Sequence, residues 1–160
     1  MITLTAANPS DTAAIAAVLA RLAKPGDMLV LIGEMGAGKT FFAQQFGAAF
    51  GVTEPITSPT FNLLHNYSGG RLPLHHADLY RLERTGEFAD LGISELTDAG
   101  GVALVEWGDV VDDIISDGLT VALSHVDDND DARTIEIGWR GMQWASRWDS
   151  LKTALARWAS

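Results

Sequence analysis

Eight consecutive residues have the types and spacing that bind a polyphosphate chain. They run from Gly33 to Thr40 and satisfy the pattern G-x-x-x-x-G-K-[ST] at every specified position. In such a segment successive backbone N–H groups form a concave anion site, to which the lysine adds charge and the hydroxyl a Mg²⁺ ligand. We call this segment the P-loop. We predict that it holds a magnesium nucleotide through Glu34, Met35, Gly36, Ala37, Gly38, Lys39 and Thr40.

Two acidic residues are placed to complete a metal site beside Thr40. Glu106 ends the apolar run Val102–Val105, and Asp78 ends an alternating segment that begins at Leu72. A carboxylate at the end of a strand beside the loop can order Mg²⁺ or its waters, or orient an attacking water. The spacing leaves the division of these roles open. The predicted metal ligands are Thr40, Asp78 and Glu106, and the predicted catalytic residues include Lys39, Asp78 and Glu106.

A further catalytic candidate, Thr60, lies in the turn-forming segment Ser58–Phe61 that follows the P-loop helix. Many nucleotide-binding proteins carry a loop that senses the γ-phosphate at this point of the chain. Thr60 could offer its hydroxyl or carbonyl oxygen to the metal or phosphate, and a plain turn is an equally supported alternative. His76 and Asp78 share one face of a strand. A zinc site there is disfavoured, because the chain has no cysteine and no third ligand lies nearby.

The elements around the P-loop have the order that its chemistry requires. Met28–Ile32 is a continuous apolar run, as in a central strand buried on both faces, and it enters the loop directly. Phe42, Phe46 and Phe50 then recur at four-residue steps, which predicts a helix that ends at Gly51. Strand, glycine-rich loop and helix therefore follow one another, as this motif demands.

Periodicity predicts the remaining elements of the chain, without an internal repeat or an interdomain linker. The expected strands are Ile2–Thr5, Phe61–Tyr67, Leu72–Tyr80, Val102–Glu106, Leu119–Val126 and Arg133–Trp139, with a polar turn over Asp127–Asp131. The expected helices are one capped near Asn8, Glu83–Leu91, Asp109–Ile115 and a C-terminal helix, with a helical turn or loop at Ser94–Asp98. The C-terminal helix is expected to pack on the domain's own sheet through Trp144, Trp148, Leu151, Leu155 and Trp158, with docking to a partner as the alternative.

Composition and charge narrow the class of protein. The 160 residues fit one domain, 1–160, and the hydrophobic content of 47% supports a packed core. No basic leader precedes the early apolar run, and no apolar stretch reaches about 18 residues, so we expect a cytoplasmic chain without a membrane span. The net charge is −10, and thirteen acids but no Lys or Arg lie between Arg84 and Arg133. We therefore expect no avid direct nucleic-acid binding; the acidic surface either aids solubility or meets a basic partner.

Four motifs in order carry a resemblance to a known family. They are the P-loop, Ser58-Pro59-Thr60-Phe61, His76-Ala77-Asp78-Leu79-Tyr80-Arg81 and Leu104-Val105-Glu106-Trp107. With these motifs the chain resembles the bacterial TsaE (YjeE) family, ATPases required for the threonylcarbamoyladenosine (t6A) modification of tRNA. The resemblance implies an α/β, P-loop NTPase-like three-layer fold with a mixed, mainly parallel central sheet. It also implies ATP hydrolysis beside two partner proteins, TsaB and TsaD, of which TsaD transfers the threonylcarbamoyl group to adenosine 37.

The same resemblance implies roles for individual residues. It assigns Lys39 and Thr40 to phosphate and Mg²⁺, Thr60 to a switch loop, Asp78 and Glu106 to the essential acids, and Trp107 to the surroundings of the nucleotide. Tyr80 and Arg81 match the motif without an assigned role. Because the sequence places no obvious arginine near the phosphates, we hypothesise that the isolated chain hydrolyses ATP slowly and that the partner pair completes the site.

Absent motifs favour ATP and leave two alternatives. No Asn-Lys-x-Asp follows the P-loop, so the usual guanine-binding motif is missing. A small-molecule kinase of the shikimate-kinase type has a similar glycine loop, but the chain lacks an arginine-rich segment to clamp a second substrate. The other alternative is a binding module that uses ATP to set a conformation with negligible turnover, and an ATP-binding assay beside an ATPase assay distinguishes it.

Overall fold

The computed structural model describes residues 1–57, 64–79, 92–107 and 117–160, with only the backbone of Trp107. Its strands are β1 (Ile2–Ala6), β2 (Met28–Ile32), β3 (Leu64–Tyr67), β4 (Leu74–Asp78), β5 (Val102–Trp107), β6 (Gly118–Val126) and β7 (Asn129–Arg140). Its helices are α1 (Pro9–Leu22), α2 (Lys39–Ala49), α3 (Ile93–Asp98) and α4 (Trp148–Ala154), with 3₁₀ turns at Ala145–Arg147 and Ala156–Trp158. The predicted helices Glu83–Leu91 and Asp109–Ile115 and the predicted loop around Thr60 lie outside the described residues.

The described strands form one seven-stranded sheet in the order β1-β7-β6-β2-β5-β4-β3. The four central strands, β6, β2, β5 and β4, run parallel to one another. Both margins are antiparallel, where β7 pairs with β6 and β1 and where β3 pairs with β4. The predicted mixed sheet is confirmed, and its parallel part is the centre. The carboxyl ends of the four parallel strands therefore meet at one edge, which is where this fold class binds ligands.

Two hydrophobic cores on opposite faces of the sheet give the predicted three layers. Successive strand side chains point to opposite faces, so Leu29 and Leu31 of β2 join the larger core with α1, α2 and the C-terminal segment. Met28 and Val30 join the smaller core, which includes Ile93 of α3. Burial on both faces explains why β2 is apolar at every position. Among the described helices, none combines the length and apolarity that a bilayer crossing demands.

The two helices nearest the P-loop begin as the sequence predicts. The Asn8 side chain caps α1 by accepting the backbone N–H of Asp11 at 2.9 Å, with a proline in the first turn. Helix α2 begins at Lys39, and its residues Phe42 and Phe46 are fully buried. The P-loop is thus held between a buried strand and a helix anchored in the larger core.

The β6–β7 hairpin is tighter than predicted. The expected polar turn covered Asp127–Asp131, but Asn129 already begins β7, which leaves Asp127 and Asp128 as the connection. Asp128 adopts a left-handed backbone conformation with φ of 63°, which Asp tolerates better than most residues. The exposed acidic tip that we predicted is confirmed, and its strands extend further than their periodicity indicates.

The C-terminal apolar stripe packs on its own domain, as predicted, but not as one continuous helix. Trp144, Leu151 and Leu155 are fully buried in the larger core, and Trp158 is 7% exposed. Two 3₁₀ turns flank the short helix α4. Contacts with residues far away in the sequence hold each end: Arg147 bonds Asp27, and Ala159 pairs with Leu4 of β1. These tertiary contacts outweigh the propagation of a regular helix.

Candidate nucleotide-binding site

The P-loop leaves the carboxyl end of β2 and enters α2, and Gly38 and Gly33 show why its backbone needs glycine. Gly38, the residue before α2, has φ of 103°, a conformation that residues with a Cβ rarely adopt. A Cβ on Gly33 would lie 2.7 Å from the carbonyl oxygen of Leu123, so glycine lets β6 approach the start of the loop. The glycines of the motif therefore match both the shape of the loop and its close contact with the neighbouring strand.

The Lys39 side chain folds back over the P-loop. Its Nζ donates to the carbonyl oxygens of Gly33 at 2.6 Å and Glu34 at 3.0 Å, and the residue is only 7% exposed. Glu34, Met35 and Gly36 at the tip of the loop are exposed, whereas Ala37 is buried. An anion that enters the loop would meet an ammonium group that is already positioned there.

Glu106 connects the P-loop helix with the sheet. It lies on the same face of β5 as Leu104, which packs in the core beneath α2. From that face one carboxylate oxygen, Oε1, accepts a hydrogen bond from the Thr40 hydroxyl at 2.9 Å. The other, Oε2, contacts Nε2 of His76. Glu106 is 2% exposed, so two side chains hold its carboxylate inside the protein.

Asp78 lies beside Glu106. The two residues are direct partners in the parallel register of β4 and β5, and the Leu79 N–H donates to the Glu106 carbonyl oxygen at 2.9 Å. Asp78 is half-buried and therefore more accessible than Glu106. The structure thus brings together the predicted acids and Thr40 at the end of the P-loop.

The donor atoms at this edge suit a magnesium ion. A hydroxyl and two carboxylates are hard oxygen ligands, and Mg²⁺ is usually held by one or two carboxylates together with substrate phosphates and water. Across the described ranges no three His, Asp or Glu side chains gather into a metal site of their own. The set Thr40, Asp78 and Glu106 therefore fits a metal that arrives with a phosphate ligand better than a permanently bound ion.

His76 is a member of this site for which the sequence analysis found no role. Its side chain is fully buried, and Nε2 faces a carboxylate oxygen of Glu106. Because an ionised carboxylate only accepts hydrogen bonds, Nε2 carries the proton in this contact. The opposite nitrogen, Nδ1, is buried and has no hydrogen-bond partner among the described residues. The pattern of strand alternation placed His76 on the face of Asp78, but only the register of β5 shows that Glu106 is its partner.

A cleft of about 150 Å³ opens on the other side of the P-loop. Its walls come from the start of α1, the P-loop with the first turn of α2, and the tip of the β6–β7 hairpin. The lining residues are Pro9, Thr12, Ala37, Gly38, Phe41, Leu123, Asp130, Asp131 and Arg133. The mixture of apolar walls with a few polar groups is typical of small-molecule sites.

The two remaining predicted site residues are Thr60 and Trp107. Thr60 lies outside the described residues. The backbone of Trp107 pairs with Ile32, the last residue of β2, which places position 107 at the edge where the P-loop begins.

Comparison with known proteins agrees with these features. The family model described as "Threonylcarbamoyl adenosine biosynthesis protein TsaE" matches residues 6–135. The chain belongs to the TsaE family. TsaE proteins take part in the biosynthesis of threonylcarbamoyladenosine in tRNA. The matched span includes β2, the P-loop, both acids and Arg133, so the site described above lies within it.

Individual TsaE relatives support the assignment. A tRNA threonylcarbamoyladenosine biosynthesis protein TsaE from Bacillus subtilis is 46% identical over 106 residues, which cover 66% of each chain, just under two thirds. A protein of the same name from Treponema pallidum is 43% identical over 104 residues, covering 65% of this chain and 76% of that protein. The crystal structure of Bacillus subtilis YdiB superposes with a TM-score of 0.76 at 34% identity, covering 98% of this chain and 97% of the other.

Proposed function

We propose that this chain binds Mg·ATP at the P-loop and hydrolyses it in support of t6A formation at adenosine 37 of tRNA, together with TsaB and TsaD. The observation that carries the proposal is the hydrogen bond between Thr40 and Glu106, 2.9 Å long. This bond joins the Thr40 hydroxyl, which is predicted to ligate the metal, to an acid on the strand beside β2. P-loop NTPases use such an arrangement. Membership of the TsaE family connects this site with tRNA modification.

Phosphate binding is assigned to the backbone of the P-loop and to Lys39. The loop joins a strand to the amino end of α2, where unpaired N–H groups and the helix dipole favour an anion. The Lys39 ammonium lies over the loop on two carbonyl oxygens and can exchange these for phosphate oxygens. The entering phosphate is then held by charge-assisted hydrogen bonds.

The two acids take different roles in the proposal. Glu106 is buried and bonded to Thr40 and His76, so it would hold the Thr40 hydroxyl and the metal in place. Asp78 is more exposed and lies alongside, so it would orient the attacking water. When bound, Mg²⁺ supplies positive charge to the phosphate oxygens. These assignments divide the roles that the sequence left open.

The nucleoside is assigned to the cleft beside Ala37 and Gly38. The cleft adjoins the P-loop on the side away from Glu106, so a nucleotide could place its phosphates in the loop and its base and ribose in the cleft. The absence of a guanine-binding motif in the sequence favours ATP.

The partnership with TsaB and TsaD agrees with the charge of the chain. A protein with a net charge of −10 is poorly suited to grip tRNA directly, since its surface repels the phosphate backbone. It suits a subunit that acts on a partner which itself holds the tRNA. We infer that the cytoplasm is its compartment, where the modification machinery meets tRNA. Membership of the TsaE family leaves the kinase alternative without support.

The proposal is tested by measuring ATP binding and hydrolysis with and without the TsaB–TsaD pair. Wild type is compared with Lys39→Ala, which removes the ammonium group over the loop, and with Lys152→Ala, which removes an exposed lysine of α4. We expect the partners to stimulate hydrolysis and Lys39→Ala to lower activity by about a hundredfold or more, because a positioned cation at the phosphates is lost. Lys152→Ala should behave as wild type.

Two results would contradict the proposal. One is full-speed hydrolysis by the isolated chain without any response to TsaB–TsaD. The other is nucleotide binding that is equally strong in wild type and Lys39→Ala. Binding of ATP with no turnover in the complete assembly would instead support the binding-module alternative.

A further inference from the structure

Arg133 reaches the P-loop from the opposite side to Glu106. Its Nε donates to the carbonyl oxygen of Ala37 at 2.8 Å, although the two residues are 96 positions apart. Its Nη1 donates to the carbonyl oxygens of Asp130 at 2.6 Å and Ala132 at 2.7 Å. One guanidinium group therefore ties the P-loop to the tip of the β6–β7 hairpin.

The bond to Ala37 determines how one peptide group of the loop is turned. Every described peptide bond is trans, so the carbonyl of Ala37 and the N–H of Gly38 point in opposite directions. Because Arg133 holds the carbonyl oxygen, the Gly38 N–H points away from Arg133. A Cβ on Gly38 would lie 3.7 Å from Arg133 Nε, which is an ordinary contact. Glycine is favoured there by its φ of 103°, a backbone conformation that lets the peptide take this orientation.

Arg133 supplies a positive charge next to a long acidic stretch of the sequence. It is the first Lys or Arg after Arg84, and thirteen acids lie between the two. Asp130 and Asp131 line the same cleft as Arg133. Without a cation at this point, the hairpin tip would present mainly negative charge to a polyphosphate ligand.

We propose that Arg133 is a positioning residue for nucleotide binding. It holds the Ala37–Gly38 peptide with its N–H toward the phosphates, and it fixes the hairpin tip as a wall of the nucleoside cleft. The ligand class is a nucleoside di- or triphosphate. This inference rests on the nucleotide site proposed above. It concerns the strength of binding and needs no contact between Arg133 and the reacting atoms.

The test measures ADP binding by calorimetry in the presence of Mg²⁺, on the full chain. Arg133→Met keeps the length of the side chain and removes its donors, whereas Arg133→Lys keeps the charge but cannot bond the three carbonyl oxygens in the same way. Arg140→Met, at the far end of the same strand, is the matched control. Amide hydrogen exchange of residues 33–40 in the ligand-free proteins reports directly on the loop.

We expect Arg133→Met to bind ADP more weakly than wild type, by about tenfold or more. Arg133→Lys should bind ADP less than about threefold more tightly than Arg133→Met. Exchange should rise at residues 33–40 in both Arg133 variants but not in β5, and Arg140→Met should match wild type. The proposal is overturned if Arg133→Met binds ADP normally, or if Arg133→Lys restores full affinity and thereby shows that charge alone matters. Failure of wild type to bind ADP would instead refute the nucleotide site itself.

Discussion

Two buried carboxylates at opposite ends of the central sheet have partners of different kinds. Asp27 immediately precedes β2, and Glu106 lies near the carboxyl end of the adjacent strand β5. Each is 2% exposed. Burial of a carboxylate is costly unless charge or hydrogen bonds compensate it, so both must be satisfied from inside the protein. How each is satisfied distinguishes a structural carboxylate from one that is suited to a ligand.

Asp27 is held by a permanent partner. Both of its oxygens accept from Arg147, at 2.6 Å and 2.7 Å, in a bidentate pair, and one also accepts the backbone N–H of Lys24 at 2.7 Å. Arg147 bonds the carbonyl oxygens of Leu22 and Gln143 as well, and it stacks over the ring of Trp144 at 3.9 Å. This network joins the C-terminal segment to the loop before β2, and each terminal nitrogen of Arg147, Nη1 and Nη2, donates two hydrogen bonds in it.

Glu106 is held by partners that can change. A hydroxyl and an imidazole bond it, and neither carries the fixed charge of a guanidinium. Thr40 can turn its oxygen to a metal and still donate its hydrogen to Glu106. A buried acid held by a hydroxyl and an imidazole is therefore suited to a ligand site, whereas one held by a bidentate guanidinium pair is suited to a structural joint.

Removing the guanidinium of Arg147 tests whether Asp27 and Arg147 form a structural joint, and it should have the largest effect on stability. Arg147→Met leaves the Asp27 carboxylate buried with little compensation, which typically costs about 3–5 kcal/mol of unfolding free energy. For a chain of this size that lowers the melting temperature by about 10 °C. Thermal denaturation followed by circular dichroism measures the change, and ADP affinity of the folded fraction should stay at the wild-type level.

The double variant Asp27→Leu/Arg147→Met is the control for that experiment. It removes both charges, so its unfolding free energy should return to within about 2 kcal/mol of wild type. If Arg147→Met alone leaves the melting temperature unchanged, Asp27 and Arg147 are not the structural joint described here.

The isosteric change Glu106→Gln tests the ligand side of the comparison. Because a neutral amide keeps the shape but not the charge that Thr40 and the metal require, we expect ATP hydrolysis by the partner-bound protein to fall by about a hundredfold or more. Unfolding free energy should change by only about 1 kcal/mol, since the amide oxygen still accepts from Thr40 and the amide nitrogen can donate to Nε2 once His76 carries its proton on Nδ1. A melting temperature that falls as far as in Arg147→Met, with hydrolysis retained, would reverse the comparison.

A neighbouring histidine, His75, should have a smaller effect on stability, and one that depends on pH. His75 points to the other face of β4 from His76 and bonds the Asn66 side chain at 2.7 Å. Burial lowers the pKa of His75 below its ordinary value of 6.5. The unfolded chain therefore binds more protons than the folded one below that value, so stability is complete above pH 6.5 and decreases as the pH falls from there.

We expect the unfolding free energy of wild type to be lower at about pH 5.5 than at about pH 7.5, with a smaller difference in His75→Asn. Asparagine removes the titration and keeps a donor near the position of Nδ1. Denaturant unfolding at the two pH values measures the difference. An equal pH dependence in both proteins would show that other groups are responsible.

Much of the site could be predicted because its core is local in the sequence. The P-loop needs only one strand, eight residues and one helix, and the apolar run of β2, the glycines and the phenylalanine spacing of α2 specify all three. Acids at strand ends are recognisable for the same reason, since parallel strands bring their carboxyl ends to one edge. Asp78 and Glu106 were found on that basis and lie next to each other in the register.

The rest depended on contacts between distant residues, which local patterns do not encode. His76 acquired a role only when the register of β4 and β5 placed it against Glu106, 30 residues away. Arg133 was predicted only as the first residue of a strand, and its bond to Ala37 follows from the order of strands and the tight turn before it. The C-terminal stripe predicted burial correctly but missed the 3₁₀ turns on both sides of α4, the first of which is tied to Asp27 through Arg147.

By itself the sequence located the candidate site of this protein: a P-loop between a buried strand and a helix, with acids beside it. These properties are set within short stretches of chain by hydrogen-bond donors, backbone freedom and side-chain periodicity. Only the tertiary structure decided which distant side chains hold each group, because strand order and register bring together residues that lie 66 and 96 positions apart. Those pairings bond the buried Glu106 to Thr40 and His76, and they bond the P-loop to Arg133.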